Sequence, residues 1–84
     1  MVFLVFTRQG YEELISQLRQ SPSPLWVNAG ILSITELEQL REKGNDVSNF
    51  SIVIDINDRL AIEDAINTVQ QHHVGQRIWV EYIA

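Results

Sequence analysis

Asp55 and Asp58 stand three residues apart at the exit of an apolar run, FSIVIDIND at 50–58, just before a helical pattern begins. Carboxylates at a strand exit suit a hard cation such as Mg²⁺, which needs oxygen ligands. No third acid stands at another strand exit, so no metal site is assigned. Thr7, Arg8 and Gly10 follow the first apolar run. Backbone amides at a helix start, with a hydroxyl and a guanidinium beside them, can hold a phosphate or carboxylate. In a parallel α/β sheet the carboxyl ends of the strands share one rim. Thr7, Arg8, Gly10, Asn28, Asp55 and Asp58 therefore make a candidate anion or small-ligand rim, with its crevice between the first and third strands. The same residues also suit ordinary turns and caps, Asp58 above all. Neither G-x-G-x-x-G nor G-x-x-x-x-G-K-[ST] occurs, and the four glycines are isolated.

Histidine offers little more. His72 and His73 are adjacent, so on a helix they point about 100° apart and do not make a two-ligand metal site. They end a helical pattern, where a protonated imidazole is favourable. That helix runs antiparallel to the strands, which puts its end roughly 20 Å from Asp55. There is no G-x-S-x-G elbow and no cysteine nucleophile. No catalytic residue and no cofactor is assigned.

The chain that must position these groups has 84 residues, enough for a single domain, 1–84. Its hydrophobic fraction of 45% is that of a globular protein. The absence of cysteine points to a reducing, cytoplasmic setting. Eleven acidic against six basic residues give a net charge of −5, and the five arginines are scattered, which opposes nucleic-acid binding. The opening run MVFLVF is too short for a signal peptide, and no run has transmembrane length, so no membrane association is expected.

The elements read as strand and helix in alternation. Residues 2–6 are apolar throughout, a strand buried on both faces. Tyr11, Leu14, Ile15 and Leu18 recur at helical spacing, with Thr7 or Gly10 as cap. Ser21-Pro22-Ser23-Pro24 stops that helix. Residues 25–27 are a short strand. Ser33 and Glu36 fit a capping box, opening a helix that buries Ile34, Leu37 and Leu40 and closes on Lys43-Gly44. Residues 45–49 are a polar loop into a third, central strand within 50–56. A third helix carries Ile62, Ala65, Ile66 and Val69, with a possible Arg59–Glu63 pair, and Gly75 closes it. The last strand, 77–83, sets Trp79, Glu81 and Ile83 on one face and Ile78, Val80 and Tyr82 on the other.

This order, βαβαβαβ, predicts an α/β sandwich with a mainly parallel four-stranded sheet and three helices. Placing the two most apolar strands centrally gives the strand order 2-1-3-4. A ferredoxin-like α+β fold is the alternative. One helix about 10 Å wide cannot cover four strands about 4.8 Å apart. The face under the first helix should then be open on the third and fourth strands. Trp79, Val80, Tyr82 and Ile83, on an edge strand with Glu81 as its one acid, form a candidate partner surface. The function expected is a small acidic, non-enzymatic interaction or regulatory domain working through this surface, with another protein or with itself as a homodimer. The alternative is a small-molecule or anion-binding domain at the Arg8/Asp55 rim.

Overall fold

β1 (Val2–Val5) lies at the centre of the sheet because every one of its side chains is apolar and can be covered from both sides. Residues 1–20 and 23–83 are described in this computed structural model, Arg19 and Gln20 by backbone alone. The break expected at Ser21-Pro22 and the Arg19 side chain lie outside the described residues. β1 is followed by α1 (Arg8–Gln20), β2 (Leu25–Val27), α2 (Ile34–Glu42), β3 (Val47–Asn49), α3 (Arg59–His72) and β4 (Ile78–Val80). All sheet pairings are parallel, so the α/β class holds and the ferredoxin-like alternative does not.

The strand order is β3-β2-β1-β4, not 2-1-3-4. β1 and β2 are central, and β3 and β4 are the edges. Two successive steps outward, β1 to β2 to β3, put α1 and α2 on the same face when crossovers are right-handed. The long return from β3 to β4 puts α3 on the other. The two cores match this placement. Phe3, Val5, Leu25, Val27 and Val47 pack under Tyr11, Leu14 and Leu18 of α1 and Leu37 and Leu40 of α2. Val2 and Leu4 pack under Ala65 and Val69 of α3.

The third strand is the larger correction. Residues 50–58 form no strand; the ladder ends at Asn49 and lies within the segment read as a polar loop. Chain geometry explains the difference. α2 ends with Gly44 at φ +89°, and Asp46 O accepts from Leu25 N, so the chain meets β2 within a few residues of leaving the helix. β2 offers only three residues, paired as Leu25↔Val47, Trp26↔Ser48 and Val27↔Asn49. Those three places are taken by Val47–Asn49, so a strand at 50–56 finds no free place beside β2. Ile52 and Val53 are consequently exposed, at 79% and 68%, while Ile54 is buried.

The local caps follow the sequence more closely. The Thr7 hydroxyl accepts from Gly10 N, and Ser33 and Glu36 close a reciprocal capping box. Asp58 accepts from Leu60 N and Ala61 N at the start of α3. Ile34, expected to be buried by α2, is exposed at 75%. Arg59 and Glu63 form no ion pair among the described residues.

Candidate functional site

The sheet order moves the crevice. Connections leave β1 toward β2 and enter β4 from the far edge, so the point where direction reverses lies between β1 and β4, not between β1 and β3. That crevice is filled by the chain itself. One carboxylate oxygen of Glu81 accepts from Phe6 N at 2.8 Å and Thr7 N at 3.0 Å, and the other accepts from the Thr7 hydroxyl. The anion at the start of α1 is thus a side chain from the end of the sheet. Favourable charge at a helix N-terminus holds it there. Gly10 leaves room for it: a Cβ at that position would lie 2.3 Å from the Glu81 carboxyl carbon.

The rest of the expected rim is equally occupied. Asn28 is the buried polar residue of the core, 4% exposed. Its amide nitrogen donates to Phe6 O and Ile54 O, and its amide oxygen accepts from Ile54 N at 2.8 Å. The side chain imitates a strand neighbour for Ile54, tying the 50–58 connection to the ends of β1 and β2. Asp55 is exposed, and its carboxylate accepts from Asn57 N. Arg8 does not meet Asp55. Its guanidinium pairs with Glu12 at 3.0 Å and Glu36 at 2.7 Å and lies over the Tyr11 ring. The Glu36 hydrogen bond, then that of Glu12, raises the Arg8 pKa. Glu36 is held below the usual carboxylate range by the Ser33 backbone amide first and by Arg8 second. Arg8 is exposed and Glu36 is partly exposed, so solvent screens the pair and these shifts carry little stability. No cluster of three metal-ligating side chains occurs among the described residues.

No family model, curated protein or solved structure matches this chain. Its chemistry has to be read from its own surfaces.

The four residues of the expected partner surface divide. Ile78 and Val80 of β4 and the following Ile83 pack toward α3. Trp79 points to the α1 side, where its ring sits 5.9 Å from that of Phe3 and remains 43% exposed. Strict alternation therefore breaks after Glu81: Ile83 joins the Ile78 side, and Tyr82 stands out, 88% exposed. The uncovered strip under α1 is confined to β4, since Val47 of β3 is buried beneath α2. There Thr7, Gly10, Glu13, Trp79, Glu81 and Tyr82 contribute to an open groove of about 510 Å³.

One cluster had no forecast in the sequence. Trp26 of β2 lies among Phe50, His72 and His73, with ring centroids 5.3, 5.2 and 6.1 Å away. Its indole N–H donates to His73 Nε2 at 3.1 Å. His72 and His73, at the C-terminal end of α3, thus carry the cover of this face out to β2. No described helix is long and apolar enough to cross a membrane.

Proposed function

We propose that this is a small, non-enzymatic interaction or regulatory domain of the cytoplasm, acting through the β4 edge and the Trp79–Tyr82 strip. The observation that carries the reading is a contrast between two regions. Polar groups at the rim are engaged by the fold: Glu81 at the α1 start, Asn28 on Ile54, Arg8 on two glutamates. At the edge, two large aromatic side chains stay in water beside a strand with a single sheet neighbour among the described residues. Exposed aromatics on an unprotected edge are the usual mark of a contact surface. The alternative, an anion-binding rim, gains no support from residues already committed to internal partners.

Affinity purification of tagged protein from its native cell, with mass measurement of the eluted complex, tests the reading. Tyr82→Asp should abolish the association without harming the fold, because that ring is 88% exposed. Asp55→Asn should leave it intact. Association that survives Tyr82→Asp and Trp79→Ser but is lost in Asp55→Asn would refute the proposal.

A further inference from the structure

Resting on that reading, we infer that the occupant of the edge is a second copy of the chain, paired antiparallel through β4 about a dyad at Trp79. The first ground is backbone direction. Arg77 O accepts from Val2 N, and Glu81 N donates to Leu4 O, so the main-chain groups of 77 and 81 face β1. By strand alternation those of Trp79 do too. The N–H and C=O groups of Ile78 and Val80 then point away from the sheet. In an antiparallel pair about Trp79, Ile78 lies opposite Val80 of the second copy, and each such pair exchanges two hydrogen bonds. Four bonds form around the dyad, and the two Trp79 residues meet as a non-hydrogen-bonded pair.

The second ground is charge. The sequence Arg77-Ile78-Trp79-Val80-Glu81 carries a cation two residues before its centre and an anion two residues after it. Read against itself in this register, each arginine faces a glutamate, and both pairs lie on the Trp79 face. Like charges opposite one another would oppose pairing, and opposite charges support it. Arg77 is exposed and has no carboxylate within 4 Å among the described residues. Glu81 engages one oxygen twice and the other once, which leaves acceptor capacity for a guanidinium. A parallel arrangement would set Arg77 against Arg77 and Glu81 against Glu81.

The third ground is what the pairing covers. The half-exposed indoles stack across the dyad between the two α1 helices, and Ile78 and Val80 continue the apolar face under the two α3 helices. The result is one eight-stranded sheet with an isologous two-fold interface.

Sedimentation equilibrium over two decades of concentration, with a thiol cross-link, tests this. Wild-type protein should dimerise reversibly. Arg77→Glu, which sets carboxylates against each other twice, should weaken the dimer about tenfold without changing the monomer fold. The chain has no cysteine, so Trp79→Cys supplies a unique thiol at the dyad, where oxidation at high protein concentration traps the pair covalently even though the lost indole weakens it. Facing Cα atoms about 4.5 Å apart suit a disulfide, whereas Arg77→Cys thiols sit roughly 14 Å apart and should not bridge. Monomer at every concentration would overturn self-pairing while leaving the edge free for a different protein. A dimer that ignores Arg77→Glu would overturn this register. Failure of the wider reading has its own signature, an association indifferent to Tyr82→Asp and Trp79→Ser.

Discussion

Replacing Asn28 by alanine should destabilise the protein more than any other single polar substitution. The side chain is buried and makes three hydrogen bonds, two of them to the backbone of Ile54. Alanine leaves Ile54 N, Ile54 O and Phe6 O short of partners. Each buried group left unpaired costs about 1–3 kcal/mol, and water entering the gap recovers part of it, so the expected loss is about 3 kcal/mol. A domain of this size has a total of roughly 4–13 kcal/mol, so the fold should survive at reduced stability. Urea titration followed by far-UV circular dichroism should show a lower midpoint with an unchanged slope. The melting temperature should fall by roughly 12–24 °C.

Asn28→Asp supplies a control with a distinct signature. The carboxylate still accepts from Ile54 N, but its second oxygen now confronts two carbonyl oxygens and holds a buried charge. The folded state therefore favours the protonated acid, raising its folded pKa above the unfolded value near 3.9. Stability is lost as pH rises from that unfolded value through the raised folded one, and the penalty is full above it. Acidification should recover part of the loss in Asn28→Asp and none in Asn28→Ala. An alanine variant within about 0.5 kcal/mol of wild type would mean that the 50–58 connection does not rest on Asn28.

Three further outcomes are expected. Gly10→Ala should destabilise wild-type protein by displacing Glu81, yet stabilise a Glu81→Ala background by roughly 0.5–1 kcal/mol through helix propensity, a sign reversal that a double-mutant cycle reads directly. Ile54→Ala should cost about 2–4 kcal/mol and Ile52→Ser less than about 0.5, since only Ile54 is buried; equal losses in chemical denaturation would restore a buried strand at 50–56. Because Glu36 is held below the ordinary carboxylate range, its contribution is present above the unfolded value and lost as pH falls through the lowered folded one. An NMR acid titration should show the Glu36 carboxyl protonating below the ordinary carboxylate range, and an ordinary titration would count against the Ser33–Glu36–Arg8 contacts.

The legible parts of the fold are those fixed by local chemistry. β1 announces itself because four successive apolar residues suit a strand covered on both sides. Ser33 with Glu36, and Asp58 before Leu60, mark helix starts because their oxygens satisfy amides only a few residues away. The third strand was hidden because its identity depends on where α2 delivers the chain, not on side-chain preference. Val47-Ser48-Asn49 has one buried apolar residue, while 50–56 has the stronger β pattern and no neighbour to pair with. Strand order was equally hidden, since short apolar strands on either side of β1 look alike in sequence. Asn28 and Glu81 were visible as polar residues, but their roles need the register: only once β4 lies beside β1 does Glu81 reach Thr7.

Glu81 joins the two regions that the sequence suggested separately. Its carboxylate fastens the end of β4 to the β1–α1 turn, and its backbone N–H closes the β1–β4 ladder on Leu4 O. β4 is therefore held beside β1 by the backbone ladder and by a side-chain contact in the crevice together. Glu81→Gln keeps the shape but replaces one accepting oxygen by a donor facing either two amides or a hydroxyl. The stability loss should be about 1.5–3 kcal/mol, the range for hydrogen bonds to a charged group. Association through β4 should weaken in the same variant even at temperatures where the monomer remains fully folded. Arg77→Glu should weaken association with no loss of stability, because that side chain is exposed. A Glu81→Gln variant that loses stability but associates as wild type would show both that the edge keeps its geometry without the latch and that Glu81 does not pair with Arg77 across the dyad. The crevice and the contact surface would then be independent.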